Sequence, residues 1–549
     1  MNVIIIGGVA GGASAAARLR RLDESAAIIL LERGEHVSFA NCGLPYYIGG
    51  EIRQKRALTV QTPESLKSRL NLDVRTGQEA VAIDPVKKQV EIVDRKSGDR
   101  YWEPYDKLIL SPGAEPVRPA LPGADDERVF TLRNIPDAER IDTYIKGQNP
   151  RRALIVGGGS IGLELAENLT RAGLQVTIAE MAGHVMASLD PEMAPEIHRH
   201  LEDKGIRLLL EHGVRAIVPH PDHLQVEMDG GKLDTDMIIF TIGVRPESTL
   251  AGIAGLAVSE RGAILTDEHM RTSDADIYAV GDAVAVRQPV TGQPAYIPLA
   301  GPANKQGRIA ADHIAGISRT YGGTQGSAIV KIFDLAVGMT GINEAAARSL
   351  GLSYDKVYLL SSSHAGYYPG ASLLHMKVLF DKLTGRILGA QIIGRAGVDK
   401  RIDVLAVAIR HNLTAEDLTE FELSYAPPFS SAKDPVNMAG FMIQDLLEGK
   451  VIQYHIDEIP RLVADRAQLI DVRTGGEYSM GHISGARNIP IDDLRMRMRE
   501  VNKERPVYLY CQSGHRSYLG ARILTAHGYK VSHMAGGYHL YSSAAPLQD

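Results

Sequence analysis

Residues 151–169 read RRALIVGGGSIGLELAENL. An apolar run, a glycine-rich break and a return of apolar residues at helical spacing predict a strand, a tight turn and a helix. Gly157, Gly159 and Gly162 form an unbroken GxGxxG, and the following strand, VTIAE, ends on Glu180. Glycines so placed let backbone amides approach a pyrophosphate at the helix N-terminus, while the acid can accept from ribose hydroxyls. That acid argues for NADH, with NADPH as the alternative.

The same grammar opens the chain: MNVIIIGGVAGG is followed by a helical stretch and by IILLER, ending near Glu32. Gly7 and Gly12 take the outer positions of the fingerprint, but Val9 stands where the middle glycine would be. Two such units suggest two nucleotides. The 549-residue chain is too long for a single core, so several domains are expected. A net charge of −6, with both signs interspersed, gives no footprint for nucleic acid or an anionic membrane. The N-terminus lacks the pattern of a secretory signal, and no stretch suggests a membrane span, so a soluble cytoplasmic protein is expected. No metal-binding motif stands out.

Two further segments, AVGDAV at Ala279–Val284 and LILSPGAEP around Ser111–Gly113, resemble the pyridine nucleotide-disulfide oxidoreductases. The first is similar to that family's second FAD motif, the second to its crossover between FAD and NAD domains. The resemblance implies FAD in the first site. It would be held by Gly7, Gly8, Ala10 and Gly11 of the turn, by Glu32, Ser111, Gly113 and Asp282, and by Ala300 in the helix-like PLAGPANKQGRIAADHIAG. The implied fold class is α/β with two Rossmann-like dinucleotide-binding domains, an α+β dimerisation domain and a C-terminal α/β rhodanese domain. The boundaries expected are 1–112 plus 246–322 for FAD, 113–245 for NAD(P)H, 323–447 for the interface domain, 448–460 for a linker and 461–549 for the last domain. In 323–447, alternating stretches such as SAIVKIF and HMKVLFD read as antiparallel strands.

Only two cysteines occur, Cys42 and Cys511, and a disulfide between them is not expected. Cys42 lies in SFANCGLPYYIGG. The classical reductases of the family carry CxxxxC, but position 47 here is Tyr47, which excludes a dithiol mechanism within this domain. A single thiol can cycle as a mixed disulfide, a persulfide or a sulfenic acid. The words SFANC and YYIGG resemble the coenzyme A-disulfide reductase branch, whose single cysteine forms a mixed disulfide with coenzyme A. By that resemblance Cys42 sits against the flavin, where a nearby helix N-terminus and the cofactor could stabilise a thiolate. Tyr367 in HAGYYPGA and Tyr425 in LSYAPPFSSAKDPVN would reach the thiol from the partner subunit of a homodimer. Arg18, Arg21, Ser38 and Asn41 would hold the phosphates and pantetheine chain of a coenzyme A substrate.

Residues 469–490, LIDVRTGGEYSMGHISGARNIP, with VYLYCQSGHRS and HMAGGYHLY, resemble a rhodanese domain. The loop CQSGHR, Cys511 to Arg516, would present successive amides to an anionic sulfur ahead of a helix starting near Arg516, with Arg516 itself a substrate contact. Asp471 and Arg473 read as buttresses of the fold.

The expected reaction is NADH-dependent reduction of a persulfide, polysulfide or coenzyme A disulfide at Cys42, with sulfur supplied by Cys511. Two alternatives stand beside it. One is an NADH oxidase or peroxidase cycling Cys42 through a sulfenic acid; the other is a redox-sensing binding protein without turnover.

Overall fold

The computed structural model describes residues 1–544 and divides into two compact units, Met1–Val185 with Glu202–Thr324, and Met186–Leu201 with the chain from Gln325 onward. The last five residues of the expected 461–549 domain lie outside the described residues.

The first unit holds two parallel five-stranded sheets of matching design. One runs in the order Ile277–Ala279, Lys107–Leu110, Asn2–Ile6, Ala27–Glu32, Asp73–Thr76. The other runs Val129–Thr131, Met237–Phe240, Arg152–Val156, Gln175–Glu180, Arg207–Leu210. All the pairings within both are parallel. In each, the strand before the glycine turn is central and both faces are covered, and the accompanying antiparallel sheet shares its apolar core, which is why the strand is almost continuously apolar. Val3, Ile4 and Ile5 are fully buried, each contributing about 1.5–3 kcal/mol of transfer free energy. A three-stranded antiparallel sheet accompanies each large one, Gln78–Asp84, Gln89–Asp94 and Arg100–Pro104 in the first half, and Val214–Pro219, Leu224–Met228 and Gly231–Thr235 in the second. The two crossings between the halves, Ala114–Pro116 and Val244–Pro246, pair antiparallel.

The second unit contains a five-stranded antiparallel sheet, ordered Ala328–Ile332, Leu335–Gly341, Ile387–Gly394, Leu373–Asp381, Tyr354–Ser362, and backed by the helices Val398–Arg410 and Pro435–Leu447. SAIVKIF and HMKVLFD are both in it. The alternation in HMKVLFD does not produce a wet face, because Leu374–Phe380 is buried throughout. Lys377 is 0% exposed, with its ammonium donating to Asp190 Oδ2 at 2.6 Å and to Glu192 and Glu344. A buried charge persists only when it is paired this completely.

The unit also contains a parallel five-stranded sheet ordered Gln453–Tyr454, Val531–Met534, Val507–Tyr510, Gln468–Asp471, Arg487–Asn488. Its edge strand, Gln453–Tyr454, comes from the segment expected to link two domains. The helix expected to start near Arg516 spans His515–Ala526. No helix among the described residues is long and apolar enough to cross a membrane.

Candidate active sites

Gly7 turns the chain at φ +98°, and a Cβ there would stand 2.0 Å from Ser111 O. A Cβ at Gly12 would stand 1.9 Å from Gly7 O. These two positions require glycine; Val9, the helix N-cap at φ −101°, does not. This explains the interrupted fingerprint. The second unit repeats the arrangement, with Gly157 at φ +110° and the Gly162 Cβ position 2.2 Å from Gly157 O, while the space around Gly159 is open.

Glu32 and Glu180 do matching work. Glu32 accepts from the Gly8 and Gly34 amides, both at 2.9 Å, and Glu180 from Gly158 at 2.7 Å and Ala182 at 2.9 Å. Each acid pins its own turn and, with about four acceptor sites per carboxylate, retains capacity for a ribose hydroxyl.

Around the first turn, Ser111 Oγ lies 2.8 Å from the Cβ position of Gly11 and 3.6 Å from that of Gly281. Gly281 N donates to Gln306 Oε1 at 2.7 Å, and Asp282 follows it. The helix Ala300–Ile314 packs so closely that a Cβ at Gly307 would meet Gly11 O at 2.3 Å. The helices Ala10–Leu22, Ser160–Arg171 and Ala300–Ile314 have no side-chain cap on their first-turn amides, whereas Pro63–Leu70 and Ile135–Gln148 do. Uncapped N-termini beside glycine turns leave donors for nucleotide phosphates. The first turn with Ser111, Asp282 and Ala300 fits FAD, and the second fits a nicotinamide dinucleotide.

Cys42 is exposed, on the short 3-10 turn Asn41–Gly43. Asn41 Nδ2 donates to Arg133 O at 3.4 Å, and the Arg133 guanidinium reaches Asp282 Oδ2 at 3.3 Å beside Gly113. Tyr46 OH donates to Glu164 Oε1 at 3.1 Å. Although Cys42 reaches solvent, partial desolvation by the surrounding protein pushes its thiol up, and the carboxylates of Glu164 and Asp282 push the same way against Arg133. The sequence resemblance implies a thiolate stabilised by a helix N-terminus together with the cofactor, and the protein surroundings alone act in the opposite direction. Glu164→Gln removes one of those charges, so alkylation of Cys42 by iodoacetamide, followed in a Cys511→Ser background, should rise severalfold at neutral pH and its midpoint move to lower pH. An unchanged profile would remove Glu164 from the electrostatics of the thiol.

Of the expected substrate contacts, Arg18 is committed through Nε to Asp312 at 2.6 Å, while Arg21 is exposed in the last turn of its helix. Ser38, at φ +47°, is tied by its amide to Gly8 O at 2.7 Å, which brings the segment before Cys42 against the first turn. Arg133 and Gln306 carried no signal in the sequence. Glu164 alone had a pointer, following the second fingerprint by two residues.

In the second unit the hydroxyls of Tyr367 and Tyr425 are hydrogen-bonded to each other at 3.0 Å and are 76% and 47% exposed. Tyr368 and Phe429 are exposed as well. The loop bearing Tyr425 is held from below. Arg401, buried, donates to Ser430 Oγ at 3.1 Å and Asp434 Oδ2 at 3.0 Å, and Ser430 Oγ donates to Asp434 at 2.6 Å.

Cys511 is buried at the end of the strand Val507–Tyr510, and Gly514 N, at φ +97°, donates to its Sγ at 3.2 Å. The Tyr538 and His539 amides donate to Cys511 O at 2.7 Å and Gln512 O at 3.0 Å. Arg473 binds Asp471 through Nη2 at 2.7 Å, stacks 4.0 Å over the Tyr538 ring and reaches Gln512 Oε1 at 3.3 Å, so this buried pair braces the loop. Arg516 is engaged by Glu477 at 2.6 and 2.7 Å, and the Glu477 carboxyl is drawn down to about 2 chiefly by that arginine.

Family models of the pyridine nucleotide-disulphide oxidoreductases match residues 1–307, those of their dimerisation domain match 327–435, and those of rhodanese-like domains match 456–544. A coenzyme A disulfide reductase of Staphylococcus haemolyticus is 37% identical over 446 residues, 81% of this chain and 100% of that protein. The reduced CoADR-RHD of Bacillus anthracis superposes with a TM-score of 0.97 at 48% identity, covering 99% of this chain and 98% of that one. An NAD-dependent persulfide reductase from A. fulgidus gives 0.92 at 36% identity, over 98% and 100%.

Proposed function

Because the chain belongs to the pyridine nucleotide-disulphide oxidoreductase family, we propose that it is an FAD-dependent, NADH-consuming reductase of disulfides and persulfides, with coenzyme A as the thiol of its substrate. The observation that carries this reading is one exposed thiol, Cys42, beside the Asp282 and Arg133 edge of a cradle that fits FAD, with no second cysteine in its unit. FAD bound there supplies the relay of two electrons from nicotinamide to sulfur.

The residues of the chain do the rest. Cys42 attacks the sulfur-sulfur bond of the substrate, one sulfur leaves as thiol or sulfide, and the other stays on Cys42 as a mixed disulfide or persulfide. Two electrons and two protons then cleave that bond and restore the thiol. The sum is R–S–S–R′ + NADH + H⁺ giving RSH, R′SH and NAD⁺, and for coenzyme A persulfide the products are coenzyme A and hydrogen sulfide. Arg21, exposed at the end of its helix, would take a coenzyme A phosphate, and Ser38 and Asn41, in the segment leading to Cys42, would take the pantetheine arm. The exposed Tyr367–Tyr425 pair supports a homodimer in which a phenol from the partner reaches the thiol and donates to the sulfur that becomes anionic.

Cys511 takes up sulfane sulfur from polysulfide or another donor and passes it on, directly or through a small thiol, to Cys42. Gly514 N, aimed at Sγ, supports this role. A consumption of NADH supports a cytoplasmic setting. The test is anaerobic NADH consumption by wild type and Cys511→Ser, with coenzyme A persulfide and polysulfide offered separately. Cys511→Ser should keep persulfide turnover and lose most polysulfide turnover; equal turnover of both would take the rhodanese domain out of the reaction.

A further inference from the structure

Three side chains from distant segments of the second unit converge. Glu196 lies in the first turn of the helix Ala194–Asp203, His375 on the strand Leu373–Asp381, and His539 on the helix Gly537–Ala544. One ligand atom from each lies within 4.8 Å of the other two. His375 Nδ1 is 3.3 Å from Glu196 Oε2, and the imidazole rings meet edge to face at 5.7 Å and 74°. Metal–ligand bonds of about 2.0–2.1 Å in a tetrahedron place neighbouring ligand atoms about 3.3–3.4 Å apart. The Glu196–His375 pair already has that spacing, and the His539 ligand atom lies within 4.8 Å of both.

We propose that Glu196, His375 and His539 bind a divalent transition metal of the zinc class, leaving a fourth position for water. Two imidazoles and a carboxylate select zinc over magnesium or calcium, which prefer oxygen alone. His375 is 4% exposed, and Glu196 and His539 are half-buried beside it, so the cluster is largely shielded from solvent. Arg199, the nearby cation, is turned to Ser543 Oγ at 2.6 Å. The other close group of acids in this unit, Asp190, Glu192 and Glu344, already surrounds the Lys377 ammonium and offers no room for an ion.

The site fastens the helix Gly537–Ala544 to the antiparallel sheet. The first residues of that helix brace the sulfur-carrying loop, with the Tyr538 and His539 amides on the carbonyls of Cys511 and Gln512. Other bonds make the same joint, Gln453 Nε2 to Lys356 O at 2.8 Å, His455 Nε2 with Asp355 Oδ1 at 3.0 Å, and Tyr518 OH to Asp445 Oδ2 at 2.8 Å. The metal therefore positions the loop and takes no part in the chemistry at sulfur.

The experiment uses the full-length FAD-loaded chain with Cys42→Ser and Cys511→Ser, so that thiols do not compete for metal. After dialysis against a chelator, Zn²⁺ is titrated against a chromophoric competitor, and the zinc-loaded protein is examined by X-ray absorption. One Zn²⁺ per chain with a nitrogen and oxygen shell containing imidazole is expected, and Glu196→Gln and His539→Ala should each weaken binding by more than about 10-fold. Glu196→Gln keeps the size of the side chain, and the flavin spectrum and circular dichroism report whether each variant is folded. Absence of stoichiometric binding, a shell without imidazole, or affinity unchanged in both folded variants would overturn the site.

Discussion

Cys42→Ser should abolish NADH-dependent reduction of coenzyme A persulfide and coenzyme A disulfide, with turnover falling by at least about 10⁴-fold, as when other nucleophiles are removed. A serine hydroxyl at this position can neither attack a disulfide nor hold the retained sulfur in a bond that two electrons can cleave. The same variant should still bind FAD, because the cradle of Gly7, Gly11, Ser111 and Asp282 is built from other segments, and NADH should still bleach the flavin absorbance. Loss of sulfur turnover with retained bleaching places the defect at the thiol. Loss of both would place it in nucleotide binding.

The largest stability effect is expected at Lys377. Its ammonium holds Asp190, Glu192 and Glu344 together, and Tyr358 OH adds a bond to Glu192 at 2.5 Å. Lys377→Met leaves those carboxylates facing one another in the core, with Lys356 at 2.6 Å and Arg348 at 3.9 Å still beside Glu344. Breaking a buried ion pair from one side costs about 3–5 kcal/mol. Burial by itself would raise the Glu344 carboxyl, but Lys377 and Lys356 bring it down to about 2, and Lys377 likewise holds Glu192 below its ordinary value. Carboxyls depressed in the folded state stabilise it above their unfolded pKa of about 4.3 and lose that contribution as pH falls toward the folded values. The wild type should therefore lose stability between about pH 4.5 and 2. The deficit of Lys377→Met should be greatest near neutral pH and shrink as acid protonates the stranded carboxyls. Denaturant unfolding at several pH values checks this, and a deficit independent of pH would assign the cost to packing instead.

The nucleotide units were legible because their demands fall on particular residues. Gly7, Gly157 and the third glycine of each turn sit where a side chain would strike backbone, and the strands ahead of them are apolar throughout because both faces are covered. Val9 broke the written motif without breaking the fold, since its backbone has a negative φ. Cys42 and the CQSGHR loop were legible through the resemblance of the words around them, with only two thiols in the chain to choose from.

What sequence could not deliver was the company these residues keep. Glu164 lies 122 positions from Cys42 by number, and only the folding of one dinucleotide half against the other brings its charge to bear on the thiol. Lys377 sits in a strand whose alternation suggests a polar face, and the acids that allow its burial come from residues 190, 192 and 344. Arg516 read as a contact for substrate, yet in the fold it is engaged by Glu477, whose position 39 residues earlier gives no periodic signal. Periodicity reports which face of an element is covered. It does not report which charge will cover it.

The central claim is that Cys42 carries sulfur. The most direct test is the mass of the Cys42 peptide after the FAD-loaded enzyme has been exposed anaerobically to coenzyme A persulfide or coenzyme A disulfide, quenched with an alkylating agent, and compared with a sample then given NADH. The account predicts one added sulfur or one coenzyme A on Cys42, discharged by NADH with release of sulfide or coenzyme A. An unmodified Cys42 under these conditions, with an oxygen adduct forming on exposure to peroxide and discharged by NADH, would contradict it and make the protein a peroxidase.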